Sequence, residues 1–309
     1  MVTTLLTTYE YRVREWLLNL LYAQWRSLGI PFSTPPLLRP REAIDPEALF
    51  WCSLEFFPTQ PRLCEQVLAW LGSNDQSVLR PRIRKFARSQ DDPRAFIWQV
   101  LDPQWKVAPK LPSRPCYGQE LASDIVDFGN ALGRRAREAK LQRQQPGTPE
   151  ATPTTVILRA RDVVGTDAKH FLLIYLLATG GGAKLKLVAD WSGQSYRNIS
   201  KAAQRWEAAK IITLEHGYAR LRNPGVWSTI LDIDSRGIVL LNWLRLYEAC
   251  LKLIWSLAKA EAKSLPACGP VVTALLREAQ EDVANSVEGQ PLTPSETVQD
   301  FSNLISSLR

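Results

Sequence analysis

The stretch Val188 to Ile212, VADWSGQSYRNISKAAQRWEAAKII, restricts the fold more than any other part of the chain. Val188, Ala189 and Trp191 fall on one face of a short helix, and Ile199, Ala203 and Trp206 recur at i, i+4 and i+7 on a second. Gly193 stands between them, where a tight turn asks for a residue tolerant of positive φ. Ser195 is placed to cap the second helix by accepting a backbone N–H bond. Two apolar stripes joined by so short a turn must share one core. Ala189 is small where the two helices approach most closely.

With Ile199, Ala203 and Trp206 turned inward, positions 197, 198, 201 and 205 must point outward. They carry Arg197, Asn198, Lys201 and Arg205. An arginine can bond guanine O6 and N7 together, an asparagine can do the same for adenine, and a lysine neutralises phosphate. Two short β runs follow, Ile211 to Glu215 and Tyr218 to Arg222, around His216-Gly217. The alternation in Tyr218-Ala219-Arg220-Leu221-Arg222 sets both arginines on one face of a hairpin.

The order alanine, glycine four residues on, serine two later and a β-branched residue four later resembles the helix-turn-helix of winged-helix regulators related to the multiple-antibiotic-resistance and arsenic-repressor classes. The resemblance runs through Glu207-Ala208-Ala209, which is similar to the end of the recognition helix, into Ile211-Ile212, which is similar to the first wing strand. It departs at Lys210, where those families usually have glycine, and at Ser192, where they usually have an apolar residue. It covers residues 167–223, about a fifth of the chain, and so implies a module. The implied partner is double-stranded DNA. The implied reading positions are Ser195, Arg197, Asn198, Lys201 and Arg205, with Arg220 and Arg222 on the wing.

The expected fold class is mainly α with a small β-wing, in a multi-domain chain with helical N- and C-terminal regions. Gln144 to Thr155 (QQPGTPEATPTT) is nearly devoid of apolar residues and marks a linker. This divides the chain into a helical N-terminal domain (1–143), the linker (144–155), a winged helix-turn-helix (156–235) and a helical C-terminal region (236–309). In the first, helices are expected at Tyr9 to Leu28, Glu47 to Phe57, Pro61 to Leu71, Val78 to Arg88 and Gln119 to Gln142. Residues 61–88 are also readable as a second helix-turn-helix with Arg80, Arg82, Arg84, Lys85 and Arg88 as a second DNA-contact segment. A helical N-terminal region containing P-R-L-C-E-Q-V-L-A-W-L and followed by a winged helix is, more loosely, similar to regulators encoded beside nucleotidyltransferase toxins.

Beyond the hairpin, Gly237 to Ala262 carries Leu240, Leu241, Leu244, Tyr247, Leu251, Ile254, Trp255 and Leu257 on a broad apolar face, expected to pair two chains as a homodimer. Helices are also expected at Val271 to Ser286 and from Ser295 onward. Charge is concentrated in the middle of the chain. Eleven Lys and Arg stand against five acids between residues 159 and 222, a balance of +6, while residues 236–309 hold seven basic against eight acidic groups. A polyanionic partner would therefore meet the centre of the chain.

Enzyme signatures are not found. With two histidines, His170 in an apolar helix and His216 at a hairpin tip, no histidine-based triad or metal site is expected, and no cofactor. Gly180-Gly181-Gly182-Ala183-Lys184 lacks the G-x-x-x-x-G-K-[ST] pattern and reads as a flexible connection between helices. Asp232 and Asp234 read as capping residues. Five scattered cysteines without a C-x-x-C pair point to reduced thiols in a cytoplasmic protein. The longest apolar runs, such as Phe171 to Ala178, fall far short of the roughly 20 residues that cross a bilayer, and no export signal or membrane partner is expected. The leading expectation is a sequence-specific DNA-binding regulator of transcription. The alternative is an antitoxin or adaptor that uses the winged helix and C-terminal helices to hold a protein partner such as a toxin.

Overall fold

A helix that is apolar on every side has to be enclosed, and Ala168–Ala178 is such a helix, with every residue from His170 to Leu177 buried. In the computed structural model of the chain, residues 2–33, 41–88, 92–101, 152–234, 237–262, 268–286 and 295–308 are described. The helices are α1 (Val2–Ser27), α2 (Pro46–Ser53), α3 (Pro61–Ser73), α4 (Arg80–Phe86), α5 (Pro93–Leu101), α6 (Val156–Val164), α7 (Ala168–Ala178), α8 (Leu185–Ser192), α9 (Tyr196–Ala208), α10 (Pro224–Leu231), α11 (Trp243–Ala262), α12 (Cys268–Ala284) and α13 (Glu296–Leu308). The strands β1 (Gly182–Lys184), β2 (Ile212–Glu215) and β3 (Tyr218–Leu221) form one antiparallel sheet in the order β1-β3-β2. The architecture is mainly helical with a small antiparallel sheet. No helix among the described residues is long and apolar enough to cross a membrane.

The chain divides into two units whose composition differs from the expected domains. One holds Met1–Ser27, Thr34–Asp45 and Pro149–Arg309, and the other Leu28–Ser33 and Pro46–Thr148. In the larger unit α7 is surrounded by α6, α8, α9, β1 and β3. Asp167 caps it, accepting the Lys169 N–H at 2.8 Å, and Trp191 of α8 closes on Phe171 and Tyr175 with ring centroids 5.8 and 5.6 Å apart. The buried His170 accepts a bond from Arg161 Nε at 3.2 Å.

The rest of this unit is a helical bundle in which α11 packs against both α1 and α12. Val13, Leu17, Leu20 and Leu21 of α1 are fully buried there, which is why the N-terminal helix groups with the C-terminal half and not with residues 28–143. Polar bonds fix the arrangement. Tyr247 donates to Gln24 Oε1, and the Trp243 indole donates to the Ala43 carbonyl at 2.6 Å. Glu42, almost wholly buried, accepts from the Ser295 hydroxyl at 2.6 Å, the Thr297 N–H at 3.1 Å and the Thr297 hydroxyl, so its carboxylate caps α13 from a distant part of the chain.

Three expectations are corrected here. The C-terminal helix begins at Trp243, not Gly237, because Asn242 caps it by accepting the Arg245 N–H at 3.1 Å, while Val239 pairs with Glu42 in a parallel bridge. Leu240 and Leu241 thus lie outside the helix. Of the apolar face expected to join two chains, Leu240, Leu241, Tyr247, Leu251, Ile254 and Leu257 are buried within this chain, while Leu244 and Trp255 are half-buried. Residues 156–235 and 236–309 belong to one unit, with the Trp191 indole bonded to the Leu241 carbonyl at 3.2 Å. The end of the expected linker is part of the core, since Thr154 and Thr155 are buried in a short 3-10 turn and the Thr154 carbonyl accepts from Ile44 N. Residues 144–151 and the helix expected at 119–142 lie outside the described residues.

In the smaller unit α2 is buried throughout. Phe50 meets Phe57 and Trp98, Trp51 meets Phe86, and the Trp70 indole donates to the Leu28 carbonyl at 2.9 Å. Cys52 and Cys64 here, and Cys250 of α11, are buried free thiols, and burial pushes the Cys250 thiol up.

Replacing Glu42 by alanine strands several buried donors at once, and is expected to lower the unfolding free energy by about 2–4 kcal/mol. Urea denaturation followed by far-UV circular dichroism measures it, and a loss under about 0.5 kcal/mol would mean that water replaces the carboxylate.

Candidate nucleic-acid interface

The α8–turn–α9 segment folds as its residue types require. Gly193 ends α8 with φ +65°, and a β-carbon added there would meet nothing within 4 Å, so the demand for glycine comes from the backbone alone. Ser192, the polar departure from the winged-helix pattern, is buried but satisfied: its hydroxyl donates to the Val188 carbonyl at 2.7 Å and accepts from Gln194 N at 3.3 Å. Ser195 caps α9 by accepting the Asn198 N–H at 3.2 Å. Lys210, the other departure, has φ +59°. The chain needs a left-handed residue after α9 and supplies it with lysine.

Ile199, Ala202, Ala203 and Trp206 are the buried residues of α9. Trp206 stacks on Trp227 of α10, with centroids 5.8 Å apart and 13° between the planes. This fixes the roll of α9 about its axis. Ser195, Arg197, Asn198, Lys201 and Arg205 are all exposed. Among the described residues, the side chains of Arg197, Asn198, Lys201 and Arg205 make no hydrogen bond or ion pair. Ser195 is already engaged as a cap, which leaves only its hydroxyl proton to donate.

The hairpin turns at His216-Gly217, where the sequence places it, with φ +49° and +77°. This is the sign pattern of a two-residue turn whose twist suits paired strands. Ala219 and Leu221 face inward, while Tyr218, Arg220 and Arg222 are exposed. Arg222 lies just past β3, where its N–H donates to the Ile211 carbonyl at 3.0 Å. The side chains of both arginines are unpaired among the described residues.

The sequence reading missed the third strand. Gly182–Lys184, read as part of a flexible connection, is an edge strand paired with β3, with Gly182 opposite Arg220 and Lys184 opposite Tyr218. Opposed residues share a face of the sheet, so Lys184 joins the exposed basic side. Its only sequence signal is the inward Ala183 beside an outward Lys184, too short to count as alternation. Helix α10 was also not anticipated, although Pro224 at its first turn is a start signal. Asp232 follows it with φ +51° and lies 3.9 Å from Arg159.

The second DNA-contact segment is not assembled as expected. Arg82 points into the core of the smaller unit, paired with the fully buried Glu47 at 3.1 Å and 5.3 Å from the centroid of Phe86. Glu47 also accepts the Leu79 N–H, so α4 is held to α2 and does not cross α3 as the second member of a helix-turn-helix. Arg80 and Arg84 are half-buried and have partners, and only Lys85 and Arg88 are exposed. An unpaired carboxylate at position 47 would be costly in that core, and one arginine of the cluster supplies the counter-charge.

Comparison with protein-family models, with curated proteins and with solved structures returns no match.

Lys210→Gly removes a left-handed non-glycine residue and is expected to stabilise the protein by up to about 1 kcal/mol, the left-handed penalty less the entropy glycine adds to the unfolded chain. Ser195→Ala is expected to destabilise it by about 1 kcal/mol through loss of the cap. Calorimetric melting of both variants checks the pair, and shifts of the same sign would contradict it.

Proposed function

We propose that residues 156–222 form a winged helix that binds double-stranded DNA, with α9 as the recognition helix, and that the protein is a sequence-specific regulator of transcription and not an enzyme. The observation that carries this reading is the exposed row Arg197, Asn198, Lys201 and Arg205, unpaired on a helix whose opposite face is locked into the core. Charged side chains on an ordinary solvated helix commonly find partners along the helix, and these have none. The order of two helices, strand, two helices and hairpin, with the last strand central in the sheet, supports the winged-helix assignment.

A helix of 13 residues is about 20 Å long, and its width suits the major groove. Arg197, Lys201 and Arg205 succeed one another every four residues, about 6 Å apart along the axis. In this reading Arg197 and Asn198 meet base edges, while Lys201 and Arg205 meet phosphates and base edges farther along the groove. Arg220 and Arg222 add phosphate contacts from the hairpin, and the free hydroxyl proton of Ser195 is placed for another. In this reading the protein works in the cytoplasm.

The adaptor reading has one observation in its favour. On α10, Val226 and Ile230 are 55% and 48% exposed one turn apart, on a helix without a charged residue. A protein partner fits that face and leaves α9 free.

Duplex affinity is expected to be sub-micromolar at low salt. It should fall with a log–log slope of about −4 if four or five phosphates are neutralised. Arg197→Ala is expected to cost about 1–3 kcal/mol on the cognate site and to relax base preference, whereas Arg222→Ala weakens all sequences alike and flattens the salt slope. Selection of bound sequences from a random duplex pool, followed by titrations at several salt concentrations, measures both effects. Millimolar affinity at low salt would end the DNA reading.

A further inference from the structure

Where α9 meets the hairpin, two tyrosines stand at the surface. Tyr196, the first residue of α9, is 52% exposed, and Tyr218, the first of β3, is 39% exposed. Their hydroxyl ends are drawn in against glycines. A β-carbon on Gly182 would stand 2.6 Å from the Tyr218 hydroxyl oxygen, and one on Gly217 would stand 3.5 Å from that of Tyr196. On the same sheet face as Tyr218 are Lys184, which stands opposite it, and Arg220. Neither of these cations has a side-chain partner among the described residues. The hairpin tip beside Tyr196 is held in place, since the Gly217 carbonyl accepts the Leu185 N–H at 2.9 Å.

A ring that covers an edge-strand glycine can be accounted for by strand pairing alone, and this explains the hydroxyl end of Tyr218. It explains neither the exposure of Tyr218 nor Tyr196, which belongs to a helix. Inside a duplex the bases stack on one another and offer no free face to an aromatic side chain. Exposed tyrosines beside unpaired cations suit unpaired bases, whose faces stack on the rings while the cations track their phosphates.

We propose that Tyr196 and Tyr218 stack unpaired bases next to the duplex held by α9, so that the site recognises a junction between double- and single-stranded DNA. This rests on the reading of α9 as a DNA-binding helix. The test uses the full chain and fluorescence anisotropy on a blunt duplex and on the same duplex extended by a short unpaired thymidine tail. The tailed form is expected to bind about tenfold tighter, the value of one stacked base. Tyr196→Ala and Tyr218→Ala should each abolish most of that preference, Tyr218→Phe should keep it, and Arg197→Ala should weaken both DNAs alike with the preference intact. A 2-aminopurine at the first unpaired position should be quenched by the wild-type protein and not by Tyr196→Ala. This readout stands even if Tyr218→Ala fails to fold. Equal binding of blunt and tailed DNA, or tyrosine variants that weaken both equally, would overturn the proposal while leaving duplex binding in place. Failure of the wild-type protein to bind either DNA would overturn both readings together.

Discussion

The enclosure of α7 is the constraint from which the larger unit follows. Its residues from His170 to Leu177 leave no face for solvent, and burial of each large apolar side chain stabilises by about 1.5–3 kcal/mol. Elements must therefore arrive from every direction, and α6, α8, α9, β1 and β3 do so. Because α9 is one of these covers, its inner stripe is committed to α7 and the hairpin, and its outer face has no choice but to carry Arg197, Asn198, Lys201 and Arg205 into solvent. The surface proposed to meet DNA is thus the reverse side of a packing solution.

A second set of contacts binds chain segments far apart in sequence. The indole of Trp243 reaches the carbonyl of Ala43, the carboxylate of Glu42 caps α13, and the Ala43 N–H donates to the Val239 carbonyl at 3.0 Å. These interactions are buried and polar. Each is modest when formed, yet leaving its buried donor or acceptor without a partner is costly, so together they favour one arrangement of the bundle over slipped alternatives. They also place the helices following the hairpin in the same unit as α9. The Trp191 indole that touches α7 on one side bonds the Leu241 carbonyl on the other.

The two basic clusters of the chain show how the same residue types take opposite roles. Arg82 is drawn inward because Glu47 is fully buried and needs a counter-charge, and Arg94 lies over Trp51 with Asp92 at 2.6 Å. Among the described residues, the cations of α9 and the hairpin have no acid within bonding reach, and they are exposed to water. A surface charge in water gains little from an ion pair, so nothing compels these groups to pair, and in the proposed function their charge serves a phosphate. Composition alone, which shows both clusters as arginine-rich, does not separate them.

The sequence by itself determined the local pieces: the two crossed helices with their glycine turn and serine cap, the hairpin at His216-Gly217, and the outward set on α9. Each of these is set by residues within one or two turns of each other, through periodicity, capping and the positive φ that Gly193 and Gly217 accept. Tertiary structure alone decided the rest. The strand at Gly182–Lys184 exists only because β3 offers it bonds, since three residues carry no periodicity of their own. The packing of α11 against α1 and α12 and the inward turn of Arg82 depend on partners distant in sequence, such as Glu47 for Arg82, 35 residues away, and Gln24 for Tyr247, 223 residues away. An apolar stripe shows that a face must be buried, but it is indifferent to which apolar surface covers it, so the packing of α1 and α12 against α11 could be decided only by the tertiary structure.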